Sequence, residues 1–163
     1  MNLVVLLDTT VLRYWYEGGP VWLASFNDAV AQMMGDNSVI FKASTVSWQE
    51  FLVYALGLEA VEARRAQAWL EAKAPTPINL TQEIAQLAAK LQILARVPAG
   101  VRSSARRAAN NIWFRDAAIM ATAVHIAADC LVYADADFNK WGSEFKGKLV
   151  HLAAPKPRAD NDS

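Results

Sequence analysis

Five carboxylates in this chain stand where carboxylates are hard to keep. Asp8 directly follows the apolar run Leu3–Leu7, and Asp135 and Asp137 follow Cys130–Tyr133. Asp116 lies inside the apolar, Ala-rich stretch Ile112–Ala121, and Glu50 closes the tetrapeptide Ser47-Trp48-Gln49-Glu50. Acids gathered without histidine or cysteine suit hard, oxygen-seeking cations such as Mg²⁺ or Mn²⁺. A bound cation inverts the local field, so that a phosphate can approach an otherwise repulsive cluster. It also activates water for in-line attack at phosphorus. The chemistry to look for is therefore metal-assisted phosphodiester hydrolysis. It would use Asp8, Glu50, Asp116 and Asp135, with Asp137 as a further ligand.

Each acid also has a plainer explanation. Asp8 could cap the helix that begins near Val11-Leu12. Ser47 and Glu50 have the spacing of a capping box, with Ser47 as N-cap. Asp135-Ala136-Asp137-Phe138-Asn139 is good turn chemistry, and strand alternation would set Tyr133, Asp135 and Asp137 on one side if the strand ran on. Asp116 is harder to dismiss. Its helix-face neighbours at three and four positions, Ile112, Trp113, Ile119 and Met120, are all apolar. An unpaired carboxylate there costs several kcal/mol or takes up a proton. The plain alternative puts Asp116 in the first turn of its helix, where the macrodipole favours it.

Other chemistries find little support. His125 and His151 have no zinc-ligand spacing with each other or with an acid. Gly18-Gly19-Pro20 lacks the lysine and spacing of a phosphate loop. No Ser-His-Asp or Cys-His set is visible. An aspartyl-phosphate enzyme would want a second acid two positions after Asp8, where Thr10 stands. Cys130 is the single cysteine and reads as a small core residue in a reducing, cytoplasmic setting.

The positioning elements follow from hydrophobic pattern. Leu3–Leu7, Val39–Phe41, Cys130–Tyr133 and Leu149–Leu152 are short apolar runs of the kind buried in a parallel sheet. Between them, Trp22–Met34, Ser47–Leu56, Glu59–Lys73, Gln82–Leu94 and Ile112–Ala128 carry helical spacing. Strands alternating with helices predict an α/β fold whose mainly parallel sheet is covered on both sides. In such a sheet, ligands bind beyond the carboxyl ends of the strands, and the acids should converge there within about 12 Å if they hold paired metals. The 163 residues are 54 % hydrophobic, enough for one well-packed domain over 1–154, with a polar tail at 155–163 expected to be disordered. No stretch predicts a membrane span. Sixteen basic and sixteen acidic residues cancel, so nucleic-acid binding must rest on local charge. Arg96, Arg102, Arg106, Arg107 and Arg115 supply it, with no acid among them. Arg106, Arg107 and Arg115 are the candidate phosphate contacts. Trp113 could stack on a base or simply be core.

With these residues in view, four segments resemble the motifs of PIN domains. They are Leu6–Leu12 around Asp8, Ser44–Leu52 around Glu50, Arg115–Ala123 around Asp116, and Leu131–Phe138 around Asp135, in family order. The resemblance implies a three-layer α/β/α sandwich and a Mg²⁺- or Mn²⁺-dependent endoribonuclease, a hydrolase of RNA. At this size it is most similar to VapC-type toxins of type II toxin–antitoxin pairs. Those are cytoplasmic, commonly homodimeric and held by a small antitoxin protein. Two departures stand out. Tyr133 occupies a position where the family often has threonine, which leaves Asp135 and Asp137 as alternatives for the fourth ligand. The stretch Val97–Asn111 is also longer than is common. Trp15, Tyr16, Trp22, Phe51, Tyr54 and Trp69 read either as an interface for a second copy or an antitoxin, or as core. The competing readings are a non-catalytic interaction module and an aspartate-dependent phosphatase.

Overall fold

A computed structural model describes residues 2–35, 37–74, 76–95 and 103–153, with the backbone alone at 34, 103–113 and 136. The chain runs β1 (Asn2–Leu7), α1 (Thr9–Glu17), α2 (Pro20–Met34), β2 (Ser38–Ala43), α3 (Thr45–Leu56), α4 (Ala60–Lys73), α5 (Gln82–Leu94), α6 (Ser103–His125) and β3 (Cys130–Tyr133). A 3₁₀ turn (Ala136–Trp141) and β4 (Lys148–His151) follow. The four strands pair in parallel in the order β2-β1-β3-β4. Arg96 and Arg102, the start of the long stretch Val97–Asn111 and the tail at 155–163 lie outside the described residues. Among the described residues no helix is long and apolar enough to cross a membrane.

The period-2 pattern of the strands divides the apolar residues between two cores. Leu6 and Leu131 face one way and join Ile84, Ala88 and Leu91 of α5 and Ala117, Met120 and Ala121 of α6. Val5, Leu7, Cys130 and Val132 face the other way and join residues of α1 to α4. The sheet is thus covered on both faces, as the three-layer expectation requires. The aromatic residues of the N-terminal half belong to the second core. The centre of the Trp15 ring lies 5.0 Å from that of Phe26, 4.9 Å from Phe41 and, edge-on, 5.2 Å from Trp69, and Phe51 stacks on Trp69. Trp22 and Phe51 are buried in this core, and Trp15, Tyr16, Tyr54 and Trp69 pack against it while partly buried. Cys130 is buried with its Sγ 3.0 Å from Met33 Sδ, and burial pushes its thiol up to about 12.

β1 lies between β2 and β3, so the chain leaves the first strand toward one edge and returns later to its other side. That change of direction opens a crevice at the carboxyl ends of β1 and β3. α1 closes at Gly18, where a Cβ would sit 2.1 Å from the Tyr14 carbonyl, so a glycine is needed there.

Two helix starts differ from the sequence expectation. α3 begins at Thr45, capped by Ser44, whose hydroxyl accepts from Ser47 N at 3.0 Å. Ser47 is therefore a buried residue inside the helix, not its cap, and Glu50 sits in the second turn rather than at the third position. The capping-box reading of Glu50 falls, because the extended backbone ends at Ser44, which bridges to Ile78, three residues before Ser47. α6 begins at Ser103, not near Ile112, so Asp116 lies more than three turns inside it. The macrodipole falls off within the first turn and cannot be what keeps Asp116 there.

Candidate metal centre

Asp8 occupies the N-cap position of α1 with extended backbone, but its side chain makes no capping hydrogen bond. Its N–H instead donates to Val132 O at 3.0 Å, which ties it to the end of β3. Ala134 N–H donates to Asp8 Oδ2 over 3.5 Å, a long and weak contact. The residue is 4 % exposed. Burial pushes its carboxyl up to about 7, against the Ala134 N–H, and the nearby charges of Asp116 and Glu50 add to the rise.

Asp116 enters the same crevice from α6. Its Oδ2 is buried and has no hydrogen-bond partner. Burial pushes its carboxyl up to about 6, with Asp135 the next contributor and Lys140 opposing. One carboxylate oxygen from each of Asp116, Asp135 and Asp137 lies within 4.8 Å of the other two. Oxygens on opposite sides of a Mg²⁺ ion are roughly 4.2 Å apart, given bonds of about 2.1 Å. The trio is thus within a few tenths of an ångström of a span that one hard cation would draw together.

β3 ends at Tyr133, so Asp135 and Asp137 are not continued strand positions. Asp135 caps the 3₁₀ turn, its Oδ1 accepting from Asp137 N at 3.0 Å. The tight turn brings both acids toward Asp116. The Tyr133 hydroxyl is buried and donates to Asn139 Oδ1, so the ring does not reach the acids in place of a threonine. His151 donates from Nε2 to Ala134 O at 3.0 Å and packs on Tyr133, a structural role.

Glu50 is held at both oxygens. Thr9 Oγ1 donates to Oε2 at 2.5 Å, and Arg115 donates to Oε1 at 2.8 Å. Its charge reaches Asp8 and Asp116, but it does not join the trio. Arg115 lies on the solvent side of α6 with 64 % of its side chain exposed. Arg106 and Arg107 lie on the backbone of α6, and their side chains, like that of Trp113, are outside the description.

Thr9 and Lys140 are not residues to which the sequence points. Thr9 had only its place after Asp8 to mark it. Lys140 stands three residues after Asp137, a spacing that brings side chains together only once the turn is helical. A cavity of about 590 Å³ lies at the opposite end of the sheet, lined among others by Asp129, Glu144, Lys146 and Lys148. It contains none of the five acids, and what is unusual chemically lies at the other end.

No family model matches the sequence, and no curated protein matches it. Solved structures do. The chain is similar to VapBC2 from Rickettsia felis bound to a DNA fragment from its promoter, with TM-score 0.62 at 12 % identity over 91 % of this chain and 98 % of that one. It is similar to FitAcB from Neisseria gonorrhoeae, with TM-score 0.60 at 14 % identity over 91 % and 97 %. It is similar to VapBC-5, a toxin–antitoxin system of Mycobacterium tuberculosis, with TM-score 0.56 at 21 % identity over 91 % and 98 %. The chain therefore has the PIN-like α/β fold found in those VapBC structures, over nine-tenths of its length.

Proposed function

We propose that the chain is a Mg²⁺- or Mn²⁺-dependent endoribonuclease and the toxin of a type II toxin–antitoxin pair. The observation that carries the reading is Asp116. Its buried, partnerless Oδ2 stands among acids that a hard cation would draw together. A buried polar atom without a partner is costly, and a divalent cation is the partner that carboxylates at this spacing suit. Asp116, Asp135 and Asp137 would hold the ion, with Asp8 completing the site from the end of β1. Such an ion supplies Lewis-acid polarisation of the phosphate and a more acidic water.

The chain's own residues divide the remaining work. Glu50, fixed at both oxygens by Thr9 and Arg115, is oriented to accept a proton or to hold a water. The exposed Arg115 guanidinium has donors beyond the one given to Glu50 and can take a phosphate oxygen beside the site. Arg106 and Arg107 are proposed as further phosphate contacts from the same helix. An antitoxin partner is proposed with the toxin role, supported by the toxin–antitoxin complexes in which this fold is found; a homodimer is proposed with it.

The test is direct. Purified chain, freed of any bound partner, should cleave single-stranded RNA with Mg²⁺ or Mn²⁺ and be inactive in EDTA. RNA left intact in both metals would sink the nuclease reading.

A further inference from the structure

Lys140 is carried by the same 3₁₀ turn as Asp137, and its Nζ lies 3.8 Å from Asp137 Oδ1. The ammonium also sits 4.5 Å from the centre of the Trp141 ring. Trp141 is 1 % exposed and donates from Nε1 to Leu91 O at 2.9 Å, so the ring is an anchored platform. The residue is exposed through its backbone, but its side chain is only 21 % exposed. The acids whose charges act on Lys140 are Asp137, Asp116 and Asp135, the trio whose oxygens gather within 4.8 Å. A cation stripped of much of its water needs nearby anions. Carboxylates gathered this closely repel one another, and a cation beside them relieves the repulsion.

We propose that Lys140 is a resident counter-charge that stands in for a second divalent cation, so that the site takes one metal ion per chain. This rests on the metal-nuclease reading above. Once all five carboxylates are ionised they outnumber Arg115 and Lys140 by three charges, and removing Lys140 raises that excess to four, which favours a further cation. The aromatic platform holds Nζ on the trio's side of the turn, where it can also donate to a phosphate oxygen, as a second metal would.

The experiment counts Mn²⁺ bound to the full-length chain, stripped with EDTA and dialysed, by electron paramagnetic resonance. Circular dichroism confirms that each variant is folded. The wild type should bind one ion, Lys140→Gln two, and Lys140→Arg one, since the guanidinium restores the charge. Two ions in the wild type would overturn the proposal while leaving the metal-nuclease reading intact, and that count needs no variant to fold. A folded Lys140→Gln that still binds one ion would overturn it as well. A wild type that binds no Mn²⁺ would overturn this proposal and the metal-nuclease reading together.

Discussion

Asp8 and Asp116 keep their protons to higher pH in the folded chain than in the unfolded one, up to about 7 and about 6, chiefly because of burial. Unfolded aspartates ionise near 3.9. Between those values the folded state binds more protons, so stability falls as pH rises through the window from about 4 to about 7. The metal-free protein should therefore melt several degrees higher near pH 5 than near pH 8, and saturating Mn²⁺ should remove most of that difference. Equal melting temperatures in EDTA would show that the two carboxyls ionise in the folded chain as they do in the unfolded one. Asp116→Asn should stabilise the metal-free chain by on the order of 1 kcal/mol, because it removes a buried charge that faces Asp135. Urea denaturation in EDTA measures this, and a loss of stability would reveal a structural partner for Asp116. Asp8→Asn should abolish RNA cleavage without unfolding the protein, since the amide keeps the shape and loses the charge. Asp137→Asn should be milder than Asp135→Asn, because Asp137 already has Lys140 beside it, whereas Asp135 also caps the turn. Activity assays with matched metal decide the order.

The start of α3 determines where Glu50 stands. Ser44 caps the helix and its hydroxyl also meets that of Ser47 at 3.0 Å. Ser44→Ala should cost about 1 kcal/mol, the usual worth of an N-cap, whereas Ser47→Ala should cost less because it leaves the cap in place. The reverse order in urea denaturation would mean that Ser47 is the cap in solution. Glu50 is not part of a cap, so Glu50→Gln is expected to abolish cleavage while stability stays nearly unchanged. The helix was visible in its apolar spacing. Its first residue was not, because Ser44 and Ser47 are both good caps and only the pairing of Ser44 with Ile78 settles which one ends the extended segment.

The molecule as a whole is held by two cores on either side of a four-stranded sheet. The core beneath α1 to α4 is unusually aromatic. Trp69 touches Trp15, Tyr16 and Phe51, so Trp69→Ala should cost about 3 kcal/mol or more. Its association state, followed by light scattering, should be that of the wild type. A folded, equally stable variant with altered association would return these rings to an interface role. The position of the acids is a property of this architecture. Asp8 and Asp135 follow neighbouring parallel strands, Asp116 comes from α6, and the crevice lies where the strand order changes direction.

The sequence by itself determined the fold class, because short apolar runs alternating with helical spacing permit little besides a covered parallel sheet. It also determined the acids worth attention, since a carboxylate after a buried strand or on an apolar helix face has a cost that composition makes visible. Only the tertiary structure decided which of them meet. Asp137 joins Asp116 because a 3₁₀ turn follows β3, and the same residues could equally have continued as strand or loop. Lys140 becomes part of the site through that turn and through Trp141, which docks on Leu91 50 residues earlier. Thr9 and Arg115 meet Glu50 from α1 and α6, across sequence separations of 41 and 65. Local pattern is a matter of neighbours along the chain. The pairing of charges is set by packing between elements far apart in it, and no residue's own sequence surroundings carry that information.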